Sequence, residues 1–144
     1  MNLAVFADIE AKLRSLPMDG IVERASDRQE SLMEDLNVQQ MEQGINSEGN
    51  RILPEYAPST KAIKRKKSQP VDKVTLKDTG QFHSQVRVKR YPSKKELVSY
   101  DSKSEKLQTK YGPEILGLTD ENMTIIKENM KPLMISDIRN LLKQ

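Results

Sequence analysis

The most informative segment of the sequence reads Val74-Thr75-Leu76-Lys77-Asp78-Thr79-Gly80-Gln81-Phe82. Its Asp-Thr-Gly triplet is the active-site triplet of aspartic proteases. Asp and Gly are also turn residues, because Asp caps its own backbone and Gly accepts a positive φ. Val74 and Leu76, with the alternation at Val86 and Val88, indicate short half-buried strands. The triplet Asp78, Thr79 and Gly80 is therefore predicted to connect two strands, or a strand and a short helical turn.

The protease interpretation makes strong chemical demands on this triplet. Two carboxylates must lie about 3 Å apart and share one proton in a dry site. A chain of 144 residues would have to dimerise to supply the second carboxylate. Lys77 before Asp78 and the bulky Gln81 after Gly80 suit a hydrated turn instead. We therefore expect no enzymatic activity and keep a dimeric aspartic protease through Asp78 as a remote alternative.

The composition excludes several kinds of site. The chain has no Cys and one His, His83, which excludes disulfides, thiol nucleophiles and the ordinary Cys-rich or His-rich metal sites. No stretch has the apolar length of a membrane span, and the N-terminus lacks the order of a signal peptide. We expect no catalytic residue, no cofactor, no metal, no membrane contact and synthesis in a cytosol. Because the apolar fraction is 35%, the core is expected to be thin and to depend on neighbouring subunits.

Charge is distributed unevenly along the chain, whose formal net charge is +3. The segment from Lys61 to Lys95 contains 12 Lys/Arg residues and 2 Asp/Glu residues. The rest of the chain contains 12 Lys/Arg residues and 19 Asp/Glu residues. Such a basic segment can face a phosphate backbone, or the acidic surface of a neighbour such as a second copy. Part of it is expected to be a solvated loop. The candidate DNA-facing residues are Lys73, Arg87, Lys89, Arg90, Lys94 and Lys95.

The order of hydrophobic patterns predicts an α+β fold with N-terminal helices, a small antiparallel sheet of about three strands and a C-terminal helix. We interpret the chain as a single domain with four parts: helical 1–45, an extended basic arm 46–73, the sheet 74–101 and C-terminal helices 102–144. Within these parts, helices are predicted over 2–16, 19–44, 105–111 and 119–142, and strands over 74–76, 82–91 and 96–100. Ser59–Lys67 is predicted to be a short basic helix or an extended arm.

The final helix carries the densest apolar set in the chain, Ile125, Ile126, Leu133, Ile138 and Leu141. It is therefore expected to supply most of the core. The arm is polar and basic and cannot build a core of its own. It is expected to contact a neighbouring subunit through Ser59, Thr60, Lys61, Lys64, Arg65, Lys66 and Lys67.

Five patches combine Gly, Pro and polar residues at fixed spacing. They read Gln40-Met41-x-x-Gly44-Ile45-x-Ser47-x-Gly49, Tyr56-Ala57-Pro58-x-Thr60-x-x-x-Lys64, Val74 to Phe82, Ser99-x-Asp101-x-Lys103, and Leu107-x-x-x-Tyr111-Gly112-x-x-Ile115-x-Gly117-Leu118-Thr119-x-Glu121-Asn122. Together they resemble a family of small virion proteins of tailed bacteriophages of Bacteroides-type hosts, crAss-like phages included. The resemblance covers about residues 36–125. More loosely, Leu76 to Phe82 is similar to a strand-joining segment of head–tail connector and tail-completion proteins.

This resemblance implies a structural subunit of a virion, forming a ring at the portal, neck or tail that joins head to tail around the DNA channel. The expected partners are other copies in a ring of about twelve or six, portal or other neck and tail proteins, and genomic DNA in the channel. The virion would be assembled in the cytoplasm of the host bacterium. A basic nucleic-acid-binding accessory protein of the phage is the second interpretation, although the chain lacks an aromatic stacking surface for single strands.

Overall fold

The structure is a computed structural model that describes residues 3–144, without the side chains of Leu3 and Phe6. Within that range the helices, strands and one 3₁₀ turn follow each other as α1 Leu3–Arg14, α2 Met18–Asp27, α3 Glu30–Glu42, α4 Pro58–Lys66, α5 Gln81–Ser84, β1 Val86–Arg90, β2 Lys95–Ser99, α6 Ser104–Tyr111, the 3₁₀ turn Pro113–Ile115 and α7 Asp120–Leu142. The predicted α+β class is confirmed. The chain divides into two compact units, unit 1 with residues 1–29 and 125–144, and unit 2 with residues 30–124.

Unit 1 is helical and contains α1, α2 and most of α7. Pro17 separates α1 from α2, since a proline ring cannot continue the preceding helix. The buried apolar residues of its described part are few: Ile21, Ala25 and Ile126. An ion pair joins its two sequence segments, with Arg24 Nε 3.1 Å from Asp137 Oδ2.

Unit 2 holds the main hydrophobic core of the described chain. The core residues come from α3, from the irregular segments before α4 and before α5, from α5 itself, from β1 and from the 3₁₀ turn: Met41, Ile52, Tyr56, Val74, Leu76, Phe82, Val86 and Ile115. The expectation that the final helix supplies most of the core is therefore wrong. In α7 only Ile126 is buried, whereas Ile125 is 43% and Ile135 48% exposed.

The sheet has two antiparallel strands rather than about three. Val86 of β1 lies opposite Ser99 of β2, and Arg90 lies opposite Lys95. Residues 74–76 are irregular, with a left-handed φ of 58° at Leu76, and they do not join the sheet. Their backbone explains why: the N–H groups of Thr75 and Leu76 donate to the hydroxyl of Tyr56, at 3.0 and 3.3 Å. These two donors therefore have a side-chain partner instead of a strand.

The four predicted helices are observed with ends shifted by two residues or fewer, except that one of them is divided. The strand predicted over 82–91 is wrong at its start, because Gln81–Ser84 form α5 and β1 begins at Val86. The predicted helix over 19–44 is two helices, α2 and α3, separated by a turn in which the N–H of Gln29 donates to the carbonyl of Ser26 at 2.9 Å. Gly44 ends this region with φ of 73°, as expected for a residue after a helix C-terminus. The first residue of the predicted N-terminal helix lies outside the described residues. At the N-terminus of α7, the hydroxyl of Thr119 accepts the N–H of Asn122 at 3.2 Å and caps the helix.

Candidate functional site

Helix α4 corresponds to the predicted arm, and it is attached to its own unit. Lys64 is 7% exposed. Its ammonium donates to the carbonyl of Lys77 at 2.7 Å and to the side chain of Gln69 at 3.4 Å, and it lies 4.6 Å from the ring centroid of Tyr56. The extended form of the arm is therefore wrong over residues 58–66, and the short basic helix is the alternative that holds. Pro58 occupies the first turn, where its missing N–H costs nothing.

The other arm residues lie on the outer part of this helix. Ser59, Arg65 and Lys66 are exposed, and Thr60 and Lys61 are half-buried. Ile63 lies among them with 56% of its surface exposed. The exposed side of the helix is therefore both basic and apolar. On its buried side, Lys64 binds the helix to the rest of unit 2.

The Asp-Thr-Gly triplet forms a turn between the irregular residues 74–76 and the short helix α5. Gly80 has a φ of 89° at the N-terminal boundary of α5, a conformation that favours glycine. Asp78 is exposed and pairs with Lys67, whose Nζ lies 2.5 Å from Oδ1. The ammonium of Lys103 lies 3.9 Å from the other carboxylate oxygen. Of the two predicted connections, the one leading to a short helical turn is therefore observed.

These ion pairs bear on the protease alternative. The hydrogen bond and the charge of Lys67 hold the pKa of Asp78 below its usual range. A carboxylate that shares a proton with a second carboxylate needs its pKa raised instead. The geometry of Asp78 is that of a hydrated ion-paired turn residue, and it gives the protease no support.

A half-open cavity of about 330 Å³ lies beside this turn. Its walls are formed by α4, residues 76–80, α5 and α6. The apolar part of the lining consists of Tyr56, Ile63, Leu76, Phe82, Leu107 and Tyr111, and the cationic part of Lys64, Lys67, Lys77 and Lys103. Two carboxylates, Asp78 and Asp101, also line it. The cavity thus combines an apolar interior with a net positive lining, and it was not predicted, because its residues come from separate parts of the sequence.

His83 is buried next to the core of unit 2. Its Nε2 lies 2.7 Å from the carbonyl oxygen of Thr75, so Nε2–H is the donor of this bond. Nδ1 is buried and has no hydrogen-bond partner in the described chain. Burial lowers the pKa of His83, although the bond to Thr75 opposes that shift. The strand predicted over 82–91 included His83, but the residue lies in α5 and is buried.

Glu30 at the start of α3 holds the β1–β2 hairpin. Its carboxylate accepts two bonds from Arg90, at 2.7 and 2.8 Å, and one from Lys95 at 2.9 Å. The bond from Arg90 is the main cause that lowers the pKa of Glu30 to about 2. On the same helix, Glu34 accepts the backbone N–H of Val88 at 2.8 Å. The hairpin is thus joined to α3 by charge as well as by packing.

Two amides of α3 hold the segment that leads into α7. Asn37 donates to the carbonyl of Ile115 at 3.1 Å and accepts the N–H of Gly117 at 3.0 Å. Gln40 donates to the carbonyl of Gly117 at 2.9 Å and accepts the N–H of Thr119 at 3.0 Å. Both amide side chains are nearly inaccessible to solvent, so removing either would leave buried backbone groups without a hydrogen-bond partner. The quoted motif residues Gln40, Gly117 and Thr119 therefore maintain the fold.

The structure brings most of the candidate DNA-facing residues together on the hairpin. Arg87, Lys89 and Lys94 are exposed there. The ammonium groups of Lys89 and Lys94 lie 5.3 and 5.1 Å from the ring centroid of Tyr91. Arg90 and Lys95 are already paired with Glu30, and Lys73 lies apart, against Gly44. The available basic surface is therefore smaller than the sequence count indicates.

Sequence reasoning missed the roles of Lys64, Tyr56, Asn37 and Glu30. No signal marks Lys64, because lysine is almost never buried. In residues 3–144 no His, Asp and Glu side chains cluster closely enough to hold a metal ion. Over the same described range, no helix is long and apolar enough to cross a membrane.

No protein-family model matches the chain, and comparisons with curated proteins and with solved structures found no match either. The relation to phage virion proteins therefore stays a proposal. It rests on the motif residues and on the surfaces described above.

Proposed function

We propose that this protein is a non-enzymatic structural subunit of a tailed-phage virion. Copies would form a ring at the portal, neck or tail that joins head to tail around the DNA channel. Assembly would take place in the cytoplasm of the host bacterium. Other neck, tail or portal proteins would contact the ring.

The observation that carries this proposal is the uncovered apolar surface of unit 1. Only Ile21, Ala25 and Ile126 are buried apolar residues in its described part. The large apolar residues that are exposed outnumber them: Val5, Ile9, Leu13, Met18, Val22, Ile125 and Ile135. A helical unit with more exposed than buried large apolar side chains is typical of a chain that is stabilised by neighbours.

The motif residues support the proposal in a second way. Gln40, Ser47, Tyr56 and Gly117 belong to the resemblance, and each makes a bond or close contact that joins distant parts of unit 2. Such positions define a shared fold rather than a shared reaction. This matches the non-enzymatic subunit that the resemblance implies.

The exposed bases of the hairpin support a position next to DNA. Arg87, Lys89 and Lys94 project from one hairpin, and in a ring they would repeat around the channel. Phosphate contacts of this kind are independent of base sequence, as a channel for a whole genome requires.

The test is the assembly state of the purified protein. Native mass spectrometry and negative-stain imaging, at rising protein concentration, are expected to show closed rings of one defined order. A protein that stays monomeric at every concentration, and that also remains absent from purified virions, would overturn the proposal.

The nucleic-acid-binding accessory protein is the second candidate, favoured by the hairpin in which Lys89 and Lys94 flank Tyr91. It predicts that the isolated protein binds random-sequence duplex DNA with strong salt dependence. The triple variant Arg87→Gln, Lys89→Gln, Lys94→Gln should then lose binding, while Lys106→Gln, Lys127→Gln and Lys131→Gln together should retain it. A ring-forming protein with no measurable affinity for free DNA would exclude this candidate.

A further inference from the structure

Two surfaces of the chain combine exposed apolar groups with charges of opposite sign. One is the cavity of unit 2, with its apolar interior and lysine lining. The other is the exposed face of α2, formed by Met18, Asp19, Val22 and Glu23, which we call the α2 face. Both surfaces expose apolar groups, and they carry opposite charge.

The α2 face combines apolar groups with unpaired acids. Met18 and Val22 lie one turn apart and are 41% and 40% exposed. Asp19 and Glu23 are also one turn apart, and like charges at this spacing destabilise a helix. No ion pair of either carboxylate is seen in the described chain. On α1, by contrast, Asp8 and Glu10 are already paired within their own helix.

The cavity has the reverse pattern. Four lysines line it against two aspartates. The ammonium of Lys64 is buried, and its bonds are to a carbonyl and an amide rather than to a carboxylate. Lys77 is exposed at the same opening, and Lys103 reaches Asp78 only at 3.9 Å. Carboxylates brought to this opening would meet cations, and apolar side chains would enter the interior.

We propose that the α2 face of one copy docks into the unit 2 cavity of the next copy. Met18 and Val22 enter the apolar interior, and Asp19 and Glu23 lie against Lys77 and Lys103. Because the two surfaces differ, the contact is heterologous and continues from copy to copy, as a ring requires. The inference rests on the proposed ring and identifies the surfaces that close it.

The test uses two double charge reversals of the full chain. One is Asp19→Lys with Glu23→Lys, and the other is Lys77→Glu with Lys103→Glu. Each is expected to weaken self-association about 100-fold in sedimentation velocity, because like charges then face each other. Lys106→Glu with Lys127→Glu changes net charge by the same amount as the reversal of Lys77 and Lys103. These two control positions are exposed and lie outside the cavity, so this variant is expected to assemble as wild type does.

Mixing the two reversed proteins provides a sharper measurement. Each reversed surface meets its complement on the other protein, so a 1:1 mixture is expected to recover assembly with strict alternation and an even number of copies. Neither protein alone should recover it. Restored assembly in the mixture would show that the contact is made between copies.

The outcomes separate this inference from the proposed function. Rings that form equally well in both reversed proteins overturn the docking and leave the ring intact. A wild-type chain that never self-associates overturns both. If circular dichroism shows that a reversed protein does not fold, the neutral pairs Asp19→Asn with Glu23→Gln and Lys77→Gln with Lys103→Gln replace it. Unchanged association of these folded neutral variants also contradicts the docking.

Discussion

Glu30 and Arg90, 60 residues apart in sequence, form a two-point ion pair with N–O distances of 2.7 and 2.8 Å. Glu30→Gln should lower the free energy of unfolding by about 1–2 kcal/mol at pH 7, since charge-assisted bonds are lost at a partly exposed site. The pKa of Glu30 is about 2 in the fold, against an ordinary value of 4.5 for a glutamate. The stabilisation is therefore present above pH 4.5 and is lost as the pH falls from 4.5 towards 2.

Urea unfolding of wild type and Glu30→Gln at several pH values measures this. The difference between the two proteins should shrink below pH 4.5 and vanish near pH 2. Asp35→Asn, an exposed carboxylate of the same helix, is the matched control and should have little effect at any pH. A difference that is constant with pH would contradict the assigned pKa.

Lys64→Met should destabilise unit 2 although it removes a charge from a buried position. The variant keeps the apolar stem but leaves the carbonyl of Lys77 without its donor, a loss of about 1–3 kcal/mol. Lys66→Met changes an exposed lysine of the same helix and should be within about 0.5 kcal/mol of wild type. Thermal melting compares the three proteins, and equal melting temperatures would mean that α4 is not fastened through Lys64.

His83 should titrate with a pKa below the ordinary histidine value of 6.5 in the folded protein, because burial disfavours the imidazolium. The unfolded chain binds the proton more readily, so this residue contributes stability above pH 6.5 that is lost as the pH falls through the folded pKa. As the single histidine of the sequence, it gives one pair of ring C–H resonances in proton NMR, from Cε1–H and Cδ2–H. A folded midpoint at or above the midpoint measured in urea would contradict its burial as a neutral ring.

Ile115→Ala should cost about 2–5 kcal/mol, because the side chain is fully buried in the core of unit 2. Ile125→Ala, at a 43% exposed position of α7, should cost about 0.5 kcal/mol or less. Urea unfolding measures both changes. If Ile125→Ala lowered the free energy of unfolding more than Ile115→Ala, the final helix would be the main source of the core after all.

The sequence predicted the helices well, because Pro17, Gly44, Gly112 and Thr119 are strong local signals for helix ends. It did not predict the core. Val74, Leu76 and Ile115 are isolated apolar residues in irregular segments, and only tertiary contacts bring them together. The apolar residues of α7 led to the wrong prediction for a different reason. Apolar residues at helical spacing are found on helices that contact a partner protein as well as on helices that pack into a core.

The candidate site was less predictable than the fold. The turn at Asp78 was identified from residue type, but the cavity beside it depends on the docking of α4 through Lys64. The strand predicted over 74–76 is absent because the hydroxyl of Tyr56, 19 residues before Thr75, accepts the N–H groups that a neighbouring strand would have used. Side-chain bonds of this range leave no periodic trace in a sequence.

The division of the chain has a consequence for synthesis on the ribosome. Unit 1 contains residues 1–29 and 125–144, whereas unit 2 is continuous from Glu30 to Thr124. Because translation runs from the N-terminus, α1 and α2 emerge before unit 2, whereas the segment that carries Asp137 emerges after it. Unit 2 is therefore the first part that can fold, and the exposed apolar side chains of the first two helices remain available to chaperones or to neighbouring nascent chains in the meantime.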